Sequence, residues 1–197
     1  MLGIPLNTPN TITLFRIVLI PIFIAAFFLP EFSWKHQLLT SLFFVAGISD
    51  WFDGYLARRL KQQSAFGAFL DPVADKLMVA TAMALLISAH PGALMALPAV
   101  VIIGREIAVS ALREWMANLG ETKKVKVNLI GKFKTFTQLL AIGFLLYAKD
   151  IGSFKPLLVG YVLLYLAAIL TLWSMLVYLS AAWPSLSRSG MGKPKDP

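Results

Sequence analysis

"SDWFDGYLARRLKQQSAFGAFLDPVADK", residues 49–76, carries four aspartates, Asp50, Asp53, Asp71 and Asp75, inside a chain otherwise composed for lipid. Of its 197 residues, 58% are hydrophobic and 14% charged, against roughly 45–50% apolar and about 25% charged in a soluble domain. Asp50 and Asp53 are spaced i, i+3 and Asp71 and Asp75 i, i+4, so each pair lies on one face of a helix. The first pair falls near the end of one apolar segment and the second near the start of the next. If the two faces meet, Asp53 levels with Asp71 and Asp50 with Asp75, which gathers four carboxylates just under a membrane surface.

Working outward, segments near 12–30, 38–58, 69–89, 94–114, 131–149 and 155–183 are long and apolar enough to span a bilayer, which needs about 20 such residues. The fold class is therefore all-α, a polytopic bundle of six transmembrane helices. The connections at 30–36, 90–93 and 149–155 hold few cations. The opposite side collects Arg58, Arg59 and Lys61, then Arg113, Lys123, Lys124, Lys126, Lys132 and Lys134, and finally Arg188, Lys193 and Lys195. Cations accumulate on cytoplasmic ends, so both termini are expected in the cytoplasm. "MLGIPLNTPN" (1–10) reads as a short interfacial segment, leaving a membrane domain over 1–187 and a polar, disordered tail over 188–197.

Composition also excludes functions. The chain has no cysteine, hence no disulfide, thiolate nucleophile or Cys-ligated metal. His36 and His90 stand in different segments and make no zinc site by themselves. The net charge of +8 suits anionic headgroups and phosphorylated substrates. The cations form no soluble basic domain, so no nucleic-acid partner is expected. The first apolar run contains Arg16 and lacks a small-residue cleavage site, which argues for a retained helix rather than a signal peptide.

Four clustered carboxylates do not all stay ionised in a weakly polar site without a compensating cation. Two divalent ions would balance them, and magnesium favours carboxylate oxygens while sharing its shell with substrate phosphates. Structural explanations cover only part of the set. Asp71 before Pro72 has the look of a helix N-cap, and Asp53 could pair with Arg58 or Lys76. Gly54, Ala57 and Gly67 interleave with the acids; small residues of this kind allow close helix packing, and they also leave room for a nucleotide or pyrophosphate.

Asp50, Asp53, Gly54, Ala57 and Arg58, then eight residues, then Gly67, Asp71 and Asp75 spell a pattern that resembles, at every position, the signature of the CDP-alcohol phosphatidyltransferases. "NTITLFRIVLIP", "REIAVSALREWM" and "GKFKT" extend the resemblance over most of the chain. It implies a six-helix enzyme of the bacterial inner membrane, a homodimer among membrane lipids, with its active site facing the cytoplasm. It further implies CDP-diacylglycerol as donor, sn-glycerol 3-phosphate as acceptor, and two divalent metal ions, Mg2+ with Mn2+ as the alternative. By the same resemblance Asp50 and Asp71 touch both metals, Asp53 one and Asp75 the other, and Asp75 is the general base. Gly54, Ala57, Arg58, Ser64 and Gly67 line the CDP-diacylglycerol site, with Asn10 and Thr13 at the depth of the nucleotide.

The acceptor brings a phosphate, so fixed cations are needed beyond the metals. Arg105 and Arg113 fall roughly 80° apart around the fourth helix, with Arg105 roughly 12 Å inside its end. Lys132 and Lys134 open the fifth. Together these resemble the phosphate pocket of family members that use phosphorylated alcohols, although topology anchoring also accounts for lysines at a helix start. Glu106 has Arg113 as its expected partner, seven residues on. Arg16 requires an anion nearby, from a phosphate or an aspartate. Among rivals, a cation transporter should place acids near the midplane or show an internal repeat. An aspartate-rich prenyltransferase should lack the Gly-x-x-Ala-Arg element. Within the family, an inositol phosphate acceptor fits the cations as well as glycerol phosphate does, and serine does not.

Overall fold

The computed structural model describes residues 8–60, 65–118 and 129–190. They form six helices: α1 Thr8–Phe28, α2 Lys35–Leu60, α3 Ala65–Ala89, α4 Ala93–Asn118, α5 Leu129–Tyr147 and α6 Pro156–Gly190. Apart from one isolated antiparallel bridge between Ile151 and Phe154, no β-pairing occurs among the described residues. Each helix overlaps one expected segment and mostly overruns it by a turn. Residues 1–7 of the expected interfacial segment and 191–197 of the tail lie outside the described residues, and α6 continues to Gly190.

Among the described residues, four helices are long and apolar enough to cross a membrane, within Asn10–Phe28, Phe69–Ala89, Ala93–Ala117 and Pro156–Ser180, and α5 contributes a shorter apolar stretch, Phe133–Tyr147. The distribution of polarity is inverted relative to a water-soluble bundle. Phe15, Val18, Ile22, Val100, Ile107, Leu158, Ile169 and Trp173 face outward, while Asn10, Thr13, Arg16, Arg105, Lys134, Gln138, Thr171 and Ser174 are buried. Such a surface finds its favourable solvent in hydrocarbon, and a helix satisfies its own backbone there. This is a membrane protein.

The helices close into a ring, α1 on α2, α2 on α5, α5 on α6, α6 on α4, α4 on α3 and α3 on α1. Helix α3 also touches α2 and α5, so it is the hub. Small and flexible side chains make this possible: Ala74, Met78, Ala82 and Met83 of α3 are buried in the core with Phe23, Phe43, Ala46, Met95 and Ile142. At the end bearing the short loops, Lys35 Nζ donates to the Leu29 carbonyl at 2.7 Å and to Glu31 at 2.8 Å. That hydrogen bond holds the Glu31 carboxyl below its usual range. Lys149 Nζ donates to the Ser33 carbonyl at 2.6 Å, and the His36 ring lies 3.1 Å from the Leu146 carbonyl, tying the α1–α2 loop to the end of α5.

Helices α5 and α6 make the most extensive contact in the bundle, and it depends on Gly160. A Cβ there would stand 2.7 Å from Leu145 Cγ and 3.0 Å from the Leu145 backbone nitrogen. At Gly47 a Cβ would meet only the tip of the Leu139 side chain, at 3.0 Å. Gly160→Ala should therefore destabilise by about 1–3 kcal/mol through overpacking, and Gly47→Ala by clearly less. Thermal melting of the two variants in detergent checks the order.

Candidate active site

Helix α3 begins at Ala65, so Pro72 lies inside it and Asp71 is not its N-cap. The proline has no N–H to give the Ala68 carbonyl, yet the surrounding bundle carries the helix through. With capping removed as an explanation, Asp71 is a carboxylate in a helix interior. Thr13 Oγ1 of α1 donates to Asp71 Oδ1 at 2.5 Å. Thr13 is fully buried and Asp71 half-buried, while Asp75, one turn deeper, is exposed on the same helix. Asn10 and Arg16 are buried on α1, one turn either side of Thr13. Gly67 is buried near the start of α3.

The other two aspartates sit on α2 at matching levels. Asp53 lies 7 residues before the α2 end at Leu60, and Asp71 lies 6 residues after the α3 start at Ala65. Asp50 and Asp75 each lie 10 residues from the same two ends. Because α2 and α3 pack together, the backbone register brings both pairs to corresponding depths, about 10 and 15 Å from the connection. Gly54, Ala57 and Arg58 continue the same part of α2. The side chains of residues 50–58 and of Lys132 lie outside the description, and Ser64 lies outside the described residues altogether. Hard oxygen donors of this kind fit magnesium or manganese. Among the described residues Asp71 and Asp75 could serve as such donors, and no cluster of three metal-binding side chains occurs among those residues.

A second polar cluster joins α4, α5 and α6. Arg105 and Lys134 are both buried and both donate to Oε1 of Glu106; the Arg105 Nη1 bond is 3.1 Å. Arg105 Nη2 donates to Ser174 Oγ at 2.8 Å, and the Ser174 hydroxyl donates in turn to the Thr171 carbonyl at 2.9 Å. The Tyr178 ring takes the Arg105 guanidinium at 5.8 Å and that of Arg113 at 5.5 Å from its centroid, a cation–π arrangement that holds two like charges near each other. Three of the four expected acceptor cations, Arg105, Arg113 and Lys134, thus gather where α4, α5 and α6 meet.

Glu106 does not pair with Arg113 as the spacing suggested. Residues seven apart share a helix face and adjacent ones do not, but the Glu106 carboxylate instead accepts from its neighbour Arg105 and from the Lys134 ammonium on α5. Ser174 and Tyr178 were missed by sequence reasoning. The available signal was the spacing of Thr171, Ser174 and Tyr178, a polar stripe on one face of an otherwise apolar helix.

Among the described residues, the bundle thus holds a half-buried Asp71 bonded to Thr13 and a buried cation cluster centred on Glu106. Residues 6–173 match the family described as CDP-alcohol phosphatidyltransferase. Curated relatives carry the name CDP-diacylglycerol–glycerol-3-phosphate 3-phosphatidyltransferase. The Pseudomonas fluorescens protein is 54% identical over 186 residues, 94% of either chain. Those of Yersinia pestis strain Pestoides F and Haemophilus influenzae are 50% and 49% identical, over 92% and 91% of this chain and 97% and 95% of their own. The chain belongs to the CDP-alcohol phosphatidyltransferase family.

Ser174→Ala should leave a buried guanidinium donor without its acceptor, a loss of about 1.5–3 kcal/mol for a charged hydrogen bond. The expected readout is a lowered melting temperature, with Ser174→Thr, which keeps the hydroxyl, melting closer to the unsubstituted protein.

Proposed function

We propose that this chain transfers the phosphatidyl group of CDP-diacylglycerol to sn-glycerol 3-phosphate, releasing CMP, in phospholipid biosynthesis. The observation that carries the reading is a pair of polar sites in adjoining parts of one bundle: Asp71 of α3 bonded to Thr13 of α1, and Arg105 and Lys134 gathered on Glu106 where α4, α5 and α6 meet, with α3 packed against both α4 and α5. A reaction between a pyrophosphate and a phosphorylated alcohol needs those two environments side by side. The names borne by relatives at about half identity over nearly the whole chain support the same donor and acceptor.

In this mechanism Asp50, Asp53, Asp71 and Asp75 would hold two divalent metal ions, magnesium by preference, which when bound would supply charge neutralisation to the pyrophosphate and to the CMP leaving group. Thr13 fixes one Asp71 oxygen and so orients the other. Gly54, Ala57 and Gly67 give the nucleotide room, with Arg58, Ser64 and Asn10 beside it. Arg105, Arg113, Lys132 and Lys134 receive the acceptor's phosphate, where the guanidinium fork suits paired oxygens. Asp75 takes the proton from the acceptor's hydroxyl. That oxygen forms a bond to the phosphorus bearing diacylglycerol, and the bond from that phosphorus to CMP breaks with its electron pair on CMP.

We place the enzyme in the bacterial inner membrane with six spans, both termini and the active site cytoplasmic. The clustering of Arg58, Arg59, Arg113, Lys132 and Lys134 at one end supports this orientation. The homodimer implied by family resemblance is consistent with the extensive apolar exterior.

Protein purified in detergent with CDP-diacylglycerol, magnesium and glycerol phosphate should release CMP in step with lipid-soluble product. EDTA should abolish the release, and Asp75→Asn should lower the rate by at least roughly 100-fold, as expected for loss of a general base. CMP release with inositol phosphate alone would keep the chemistry and replace the acceptor.

A further inference from the structure

The two buried cations of the acceptor cluster share one oxygen of one carboxylate. The Arg105 side chain is 6% exposed and that of Lys134 4%, against 29% for Glu106. Cations so far from water require an anion at hand, so Glu106 neutralises a site that would otherwise hold uncompensated charge. The unequal exposure shows which partner is able to leave. Arg105 has Ser174 and the Tyr178 ring as partners in addition to Glu106. Glu106 has an exposed side from which to rotate outward.

We propose that Glu106 is a stand-in for the acceptor's phosphate, held between Arg105 and Lys134 in the empty site and displaced by a phosphate monoester. This rests on the acceptor site assigned above. A phosphate monoester brings about −1.5 to −2 charge at pH 7 and three strong acceptor oxygens. It therefore satisfies both cations better than one carboxylate oxygen does. The Arg105 Nε, buried and without a hydrogen-bond partner among the described residues, gives a further donor for those oxygens. The exchange keeps the cations ordered while no substrate is bound, and it disfavours neutral alcohols, which cannot displace a carboxylate. Glu106 is on this account a positioning and selectivity residue rather than a catalytic one.

Glu106→Gln removes the competing charge and keeps the shape. The test is the inorganic phosphate concentration that half-maximally raises the melting temperature, measured on full-length protein at matched ionic strength. It should fall roughly tenfold in the variant, the scale expected when a like charge is removed from a desolvated anion site. The KM for glycerol phosphate at saturating donor should fall in the same sense. An unchanged or raised phosphate midpoint, or a raised KM, would overturn the proposal in favour of a purely structural counter-ion. If the variant is destabilised, restoration of its melting temperature by phosphate supports the stand-in, and failure of phosphate to restore it overturns it. Wild-type protein that released no CMP would sink the transferase reading separately, because the phosphate comparison needs no turnover.

Discussion

Charge inside an apolar bundle must be neutralised within hydrogen-bonding distance, and the arrangement of α3 to α6 follows from that requirement. Arg105 on α4, Lys134 on α5 and Ser174 on α6 stand in three different helices and meet around Glu106. Separating any of these helices would strand a charge or a donor in a medium that cannot solvate it. Apolar packing alone discriminates weakly between helix–helix and helix–lipid contact, so the polar interior supplies much of the specificity with which these helices choose each other. The same interior is the part of the molecule suited to chemistry.

Helix α3 couples the two halves of that interior. It touches α1, α2, α4 and α5, and small or supple residues such as Ala74, Met78 and Ala82 let it do so. Its Asp71 meets Thr13 of α1, and the same helix packs against α4 and α5, which carry Arg105, Glu106 and Lys134. A single rigid helix therefore sets the spacing between the place where a pyrophosphate would be held and the place where a second phosphate would be held.

Most of the architecture was legible in the sequence, because six apolar segments separated by polar breaks have few other readings. Helix ends were less so: Pro72 suggested a start at Asp71, but the chain is helical from Ala65 because neighbouring helices offset the lost hydrogen bond. The aspartate register could be read from spacing, since both helices are counted from one connection. The partners within the cation cluster could not. Arg105 and Glu106 are sequence neighbours bonded directly to each other, Lys134 joins the same carboxylate from another helix, and Tyr178 bridges Arg105 and Arg113 from a third. Tertiary proximity of this kind has no local signature; only the stripe of Thr171, Ser174 and Tyr178 hinted at it.

We propose that four carboxylates on α2 and α3 make one divalent-metal site beside an anion site. Electron paramagnetic resonance of manganese bound to the full-length protein in lipid nanodiscs tests it most directly. Two Mn2+ ions per chain, magnetically coupled and lost together in Asp71→Asn, would be the predicted result. Manganese that binds singly, or that remains bound as a coupled pair without Asp71, would contradict the account.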